Sequence, residues 1–308
     1  MKNILYYIIF ALWYLLSLLP LRILYVISDM LYYPLYYCIR YRRNIVRKNL
    51  VNSFPEKKLE EIVKIEKDFY SFFCDYVVET IKLFSIKEST MRKRMVFKGT
   101  EMVNQYLAEG KSCILYLGHY CNWEWISSVP LYYPDSVFCG QIYHPLENKV
   151  FNELFLKLRG RFRAKSVSMN ETLRKIVSLR REKRRSFMGF ISDQVPFWNN
   201  IHYWTNFLNQ DTPVLTGTER IAKQTDAVVF YASIKRPKRG YYVCEYVKLS
   251  DSAQKLPEYE LTERYFRALE KDIMLYPQYW LWTHNRWKRT REEFNERFDP
   301  ETNKIRLT

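Results

Sequence analysis

Glycine is scarce in this chain, with 8 residues in 308. No Gly-x-Ser-x-Gly elbow occurs, so a serine hydrolase of the α/β type is unsupported. No glycine-rich dinucleotide fingerprint or P-loop occurs either, which leaves nucleotide-dependent chemistry without a motif. The six cysteines, at 38, 74, 113, 121, 139 and 244, never form a C-x-x-C pair. Metal-ligand spacing is therefore absent, and neither zinc nor another cofactor is expected. The thiols read as reduced and structural in a cytoplasm-facing body. There is no internal repeat. Acidic residues are in the minority, 33 against 49 basic, for a formal net charge of +16. The basic residues gather in clusters at 40–48, 87–98, 159–165, 174–185 and 286–291. No low-complexity basic tail exists, so this is a basic face on a folded body. Such a face favours an anionic leaflet, an acidic carrier protein or nucleic acid. Scattered clusters without a recognition motif argue against nucleic acid.

Aromatic residues are abundant instead, with 26 Tyr, 19 Phe and 8 Trp. Tyr and Trp suit surfaces that are half apolar and half wet, membrane interfaces among them. Residues 3–19 carry no charge and approach the ~20 residues that span a bilayer. Pro20 follows, and a second apolar stretch runs over 21–39 with Arg22 and Asp29 inside it. No small-residue cleavage site follows, so a removed signal peptide is not expected. The basic flank of Arg40, Arg42, Arg43, Arg47 and Lys48 places the body on the cytoplasmic side by the positive-inside rule. Residues 1–40 are thus expected to be a membrane anchor. The alternative is a hairpin lying in the interface, which the tyrosines at 6, 7, 14, 32, 33, 36 and 37 and Trp13 also suit.

Residues 41–95 read as a helical basic region packed on the body. Ile62, Ile65, Phe69, Phe72, Phe73, Tyr76, Val77 and Thr80 recur at spacings of three and four, which predicts a long helix from about 55 to 86. From 96 to 308 strands alternate with helices. Strands are expected at 96–98, 113–117, 136–143, 186–192, 227–234 and 241–249. Helices are expected at 101–108, 122–129, 148–158, 173–181 and 261–276, with another opened by Thr212-Pro213 and running to 224. The pattern implies an α/β domain with a mostly parallel central sheet flanked by helices.

The stretch Cys113-Ile-Leu-Tyr-Leu-Gly-His-Tyr-Cys-Asn-Trp-Glu-Trp125 organises the rest. Five buried-looking strand residues break at Gly118, and His119 follows at the carboxyl edge of the sheet, where open α/β sheets keep their chemistry. Glu124 comes five positions later. Residues five apart differ by about 140° on a helix. The two therefore meet only if His119 sits in the turn and Glu124 in the first turn of the next helix. A His with a carboxylate is the minimal general-base pair. The competing reading is a loop histidine and a solvated helix glutamate. His144 and Asp193 also follow apolar strand runs and can share one crevice with His119. Arg159 closes a helix, where it either serves the dipole or binds a phosphate. The segment Trp280-Leu-Trp-Thr-His284-Asn-Arg286-Trp-Lys288 reads either as a headgroup-binding surface or as an aromatic buttress for the sheet. With no nucleophile in view, His-Glu chemistry would act on a hydroxyl supplied by the substrate.

Taken together, these blocks resemble the bacterial late acyltransferases of lipid A biosynthesis, of lauroyl or myristoyl type, a branch of the lysophospholipid acyltransferase superfamily. That superfamily is marked by His, four residues, then Asp or Glu, here His119 to Glu124. Residues 43–56, Glu79, Tyr143 to Asn148, Arg159-Gly160, Asp193-Gln194 and Trp282 to Lys288 match the remaining blocks in order and rough spacing. Two positions depart from the pattern. Val195 follows Gln194 where a glycine is usual, and His144 stands where an arginine is common. Both touch the acceptor side.

The resemblance implies a glycerol-phosphate-acyltransferase-like fold. It also implies transfer of a fatty acyl chain from an acyl carrier protein thioester, or acyl-CoA, to a hydroxyl of a membrane glycolipid at the inner membrane. His119 would act as general base, Glu124 would orient it, Arg159 would hold acceptor phosphate or the donor, and Asp193 would order the site. Asn122, Tyr143, Arg161, Gln194 and Arg286 would bind substrate. Two other readings are a superfamily enzyme acting on an aminolipid or phospholipid precursor, and a non-catalytic membrane or nucleic-acid binding protein.

Overall fold

The structure is a computed structural model that describes residues 4–299, 301–302 and 304–306. Helices α1 (Ile4–Leu18) and α2 (Leu21–Tyr33), the second prolonged by a π-helical turn at Pro34–Cys38, form a bent pair. Helices α3 (Arg43–Ser53), α4 (Leu59–Lys82) and α5 (Glu88–Arg94) follow. An α/β body then alternates β1 (Met95–Lys98), α6 (Thr100–Ala108), β2 (Cys113–Leu117), a 3-10 helix (Trp123–Tyr132), β3 (Phe138–Tyr143), α7 (Lys149–Arg159), β4 (Lys165–Ser168), α8 (Thr172–Arg181) and β5 (Ser186–Ile191). The chain closes with the hairpin β6 (Tyr203–Phe207) and β7 (Gln210–Val214), then α9 (Gly217–Thr225), β8 (Val228–Lys238), β9 (Tyr241–Ser250), α10 (Glu260–Leu275) and α11 (Arg291–Arg297). Two-residue strands at Phe298–Asp299 and Lys304–Ile305 pair after α11.

One seven-stranded sheet runs in the order β1-β9-β8-β2-β5-β3-β4. Its pairs are parallel except β8 with β9. The mostly parallel α/β body expected from the sequence is therefore what forms. All five residues of β2 are buried, as a run without polar alternation requires of a strand covered on both faces. It lies between β5 and β8, so its carboxyl end opens at the middle of the sheet edge.

Three elements differ from expectation. Thr212-Pro213 does not cap a helix. Both residues lie in β7, opposite Thr205 and Trp204, in a two-stranded ribbon where a proline is tolerated because the strand lies at an edge. The helix starts later, at Gly217, and ends at Asp226 in the left-handed conformation. Residues 123–132 wind as a 3-10 helix with Pro130 inside rather than as an α-helix. The edge strand β4, Lys-Ser-Val-Ser, is short and polar and gave no apolar signal.

Helices α1 and α2 meet at 116°, and among the described residues no single helix is long and apolar enough to cross a membrane. Residues 1–3 of the expected anchor lie outside the described residues. The pair is fixed to α4 by polar contacts. Lys82 donates to the carbonyls of Ser17 at 2.7 Å and Leu19 at 2.9 Å, the Tyr25 hydroxyl to Glu79 at 2.8 Å, and the Ser28 hydroxyl to Asp75 at 2.7 Å. Arg239, at the β8–β9 turn, bridges Asp29 and Asp75. The other face of the pair leaves Ile8, Leu12, Leu15, Val26 and Met30 exposed.

Candidate active site

The break after β2 is set by close packing. A Cβ on Gly118 would stand 2.7 Å from the buried Leu269 side chain and 3.5 Å from the Asp193 carboxylate. A side chain at this position would have to push Leu269 of α10 aside. The turn delivers His119 beside the end of β5. Its backbone N–H donates to Asp193 Oδ2 at 2.8 Å, and its ring Nδ1 lies 2.7 Å from Asp193 Oδ1. Trp280 Nε1 donates to the same Oδ2 at 2.8 Å. Burial alone would raise the Asp193 carboxyl, but His119 and these hydrogen bonds bring it down to about 2. The carboxylate is therefore an acceptor, and Nδ1 must carry the proton. In the neutral imidazole the lone pair is then on Nε2, on the side where Gln194 Nε2 lies 3.4 Å away.

Asp193, not Glu124, is thus the carboxylate on the histidine. Glu124 does lie in the first turn after His119, capped by the Asn122 side chain, but it is buried and faces Arg159. Arg159 donates from Nε to Oε2 at 2.8 Å and from Nη2 to Oε1 at 2.6 Å, a two-pronged pair. Burial works against the guanidinium's charge, and Glu124 more than offsets this, so its basicity is raised. Asn148 caps the start of α7 through Val150 and Phe151 N–H groups, and Arg159 is carried to the site at the other end of that helix. Tyr76 of α4 completes the pair from behind. Its ring stacks on Trp123 with centroids 4.1 Å apart, and burial, then the charge of Glu124, holds its hydroxyl in the neutral form. Trp123 in turn meets His119 edge-to-face at 5.2 Å.

His119, Glu124, Arg159, Tyr143, His144 and Gln194 line one cavity of about 280 Å³. Its remaining walls are mainly apolar, with Leu115, Leu117, Ile126, Val129, Phe187 and Ile191 reaching down between the sheet and the 3-10 helix. The cavity is polar where the catalytic-type groups gather and oily along the strands. Gly140 and Gly189 lie in the sheet wall, and any side chain at Gly140 would collide with Met188 and Phe138.

Three residues expected to bind substrate are placed in the scaffold. Asn122 is fully buried and donates to Glu79 at 2.7 Å while its oxygen accepts from the Trp125 N–H. Arg161 donates to the Ile86 carbonyl at 2.8 Å and is not part of the cavity wall, so Arg159 is the arginine at the site. Arg286 is buried behind Asp193. It donates to the Pro213 carbonyl at 2.7 Å, its Nε and Nη1 have no partner among the described residues, and burial lowers its basicity to about 10. His284 is held neutral at about 4, by burial and then by Arg286, and its Nε2 accepts the Val195 N–H at 3.3 Å. The segment 280–288 thus buttresses the end of β5, and Trp280 reaches the catalytic-type carboxylate through the same packing. Among the described residues no group of three or more His, Cys, Asp or Glu is arranged to hold a metal ion.

Neither Trp280 nor Tyr76 is among the site residues expected from the sequence. Trp280 is the more readable of the two, since the 280–288 segment stood out for its aromatics. Tyr76 sits in the regular apolar spacing of α4 and looks like core.

The chain is 24% identical over 188 residues to a lipid A biosynthesis acyltransferase of Haemophilus influenzae, a match covering 61% of this chain and 58% of that protein. A family model for bacterial lipid A biosynthesis acyltransferases matches residues 1–289, so this chain belongs to that family.

Proposed function

We propose that the protein is an acyltransferase that moves a fatty acyl chain from a thioester, on an acyl carrier protein or coenzyme A, to a hydroxyl of a lipid A precursor. The observation that carries this reading is His119. Its Nδ1 is fixed by a buried, ionised carboxylate while Nε2 faces a cavity with polar groups near it and apolar walls beyond. An acceptor hydroxyl within reach of Nε2 loses its proton to the imidazole as its oxygen attacks the thioester carbonyl. Asp193 stabilises the imidazolium that forms, as the carboxylate of a Ser-His-Asp triad does. The attacking oxygen belongs to the substrate, so no acyl-enzyme forms. The tetrahedral intermediate then expels the thiolate, which takes the proton from His119.

Arg159 supplies positive charge at the cavity wall. Nε and Nη2 are bound to Glu124, and Nη1 has no protein acceptor among the described residues, so it is available to the developing oxyanion or to a phosphate of the acceptor. Glu124 and Tyr76 hold that guanidinium in place. The apolar walls suit the acyl chain, and Tyr143, His144 and Gln194 border the acceptor side. The exposed apolar face of α1 and α2, bent too sharply to act as one straight span, suits a hairpin lying in the inner leaflet of the inner membrane with the body on the cytoplasmic face.

The test is transfer by the purified full-length protein from a carrier-bound or CoA-bound acyl group to a lipid A precursor, read by mass spectrometry of the lipid. His119→Ala should abolish it and leave vesicle binding unchanged. Full transfer by His119→Ala would overturn the mechanism, and transfer to a phospholipid precursor alone would overturn the substrate.

A further inference from the structure

We propose that the outer face of α8 is the docking surface for the acidic protein that carries the acyl thioester. This rests on the thioester-donor reading above. The inner face of α8 buries Thr172, Ile176 and Leu179 against the sheet. Besides charged residues, its outer face carries an apolar stripe that a purely solvated helix face would lack. Met169, Leu173 and Val177, four residues apart, are exposed at 45%, 47% and 40%. Leu173 and Val177 share an open groove of about 600 Å³ with Arg174, Ser178, Arg181 and Glu182. The ion pairs nearest in sequence are Arg159 with Glu124 and Arg163 with Asp135, and neither Arg174 nor Arg181 is in one among the described residues. Residues 169–185 hold seven basic side chains against two acidic ones, and Glu182 is engaged by Ser178. An apolar stripe rimmed by unpaired arginines is complementary to an amphipathic helix with an acidic flank.

The surface begins at the sheet edge that carries His119, and α8 runs from there back along the sheet. Leu117 of β2 is level with Ile191 of β5, and Gln141 of β3 with Gly189, so Tyr143 is level with Ile191. Tyr143 in turn pairs with Ser168 of β4. Three strand spacings of about 4.8 Å put this row roughly 14 Å across. His119 follows one end of it by two residues, and Met169 follows the other end directly. A thioester on a long flexible arm reaches from one to the other.

The fold also distinguishes a soluble partner from a lipid surface. The crossovers β3–α7–β4 and β4–α8–β5 run in opposite directions across the sheet, so right-handed connections place α7 and α8 on opposite faces. Helix α1 packs on α7, with Trp13 against Phe151 at 5.8 Å and Phe155 at 6.3 Å. The apolar face of the α1–α2 pair therefore belongs to the α7 side, and α8 is turned away from whatever that face binds.

The test compares the full-length wild type with the double variant Arg174→Glu, Arg181→Glu and with Val177→Asp. Each is assayed with one acyl group presented on an acidic acyl carrier protein and on free pantetheine. Expected is a loss of about tenfold or more in kcat/KM with the carrier-bound donor, pantetheine rates within about twofold of wild type, and a weaker salt dependence with the carrier donor. Equal losses on both donors, or none on the carrier donor, would overturn the surface. So would a loss of vesicle binding in the variants, which would assign α8 to lipid. If wild type uses acyl-pantetheine and never the carrier-bound group, docking falls and the acyltransferase reading stands. If wild type transfers from neither donor, the acyltransferase reading itself fails and takes the docking surface with it.

Discussion

Replacing Asp193 by asparagine separates the two carboxylates near His119. The side chain keeps its size, and one amide oxygen can still accept from the His119 N–H and Trp280, which both donate to Oδ2. The group facing Nδ1 then becomes an NH₂. It donates where the carboxylate accepted, so Nδ1 must give up its proton and Nε2 takes it. The base is then blocked by its own tautomer. In the serine-protease template this substitution lowers kcat about 10⁴-fold, roughly 5.5 kcal/mol at 1.36 kcal/mol per decade. A loss of similar order is expected here, with KM for both substrates little changed.

The assay is steady-state acyl transfer followed by lipid mass spectrometry, with Glu124→Gln as the comparison. Glu124 touches Arg159 rather than His119, so its loss should be the smaller one. Asp193→Asn activity within tenfold of wild type, with Glu124→Gln the more damaging, would refute the assignment. Stability offers a second readout. The folded-state carboxyl of Asp193 lies at about 2 against an ordinary 3.8. A depressed carboxyl contributes stability that is full above pH 3.8 and is lost as pH falls towards 2. At 1.36 kcal/mol per unit this is about 2 kcal/mol. Acid denaturation of Asp193→Asn should lack that increment between pH 4 and 2.

Two further outcomes follow from the site's packing. Arg159→Lys keeps the charge and loses the two-pronged contact with Glu124, so transfer should fall by about tenfold or more and stability by about 1–2 kcal/mol; an unchanged rate and melting temperature would show that the planar fork has no role. Gly118→Ala drives a methyl into Leu269 and should cost about 1–3 kcal/mol in urea unfolding, partly recovered by Leu269→Val in the same chain; no destabilisation would mean that α10 yields freely at this turn.

The position of His119 was legible because five apolar residues ending at a glycine specify a buried strand and its exit. The sheet order then places that exit at the centre of the edge. Its partner was misread for a physical reason. Glu124 is five residues away in sequence, but those residues form a tight turn and a 3-10 helix that carry the carboxylate into the core towards α7. Asp193 is 74 residues away and becomes a neighbour only through the parallel pairing of Leu117 with Ile191. Asp193 was visible as a polar residue at a strand end, and only the strand order could say which strand it would stand beside. The β6–β7 hairpin was lost for a similar reason. Thr-Pro is a strong local helix signal, and it was overridden by pairing with Thr205 and Trp204. Asn122 and Arg286 are polar residues inside the motif blocks. Sequence shows their polarity, while burial is a property of the packed chain, and burial makes them supports rather than contacts.

Glu79 shows how the buried supports connect the N-terminal helices to the site. Its carboxylate accepts from Tyr25 of α2 at 2.8 Å, from Asn122 at 2.7 Å and from Tyr242 of β9 at 2.7 Å, while its backbone carbonyl accepts from Trp125 Nε1 at 3.0 Å. Asn122 and Trp125 flank Glu124, and Asn122 is three residues from His119. One buried group therefore sets the position of α2 and the course of the turn at His119 together. Apolar packing tolerates sliding, whereas a carboxylate with three directional donors does not. If α2 shifted, Tyr25 would withdraw and leave Glu79 buried with fewer donors, a loss of about 1–3 kcal/mol for a charged acceptor. The helices expected to meet the membrane are for this reason part of the scaffold of the candidate site, and deleting them should disturb the turn that holds His119 as well as any attachment they provide.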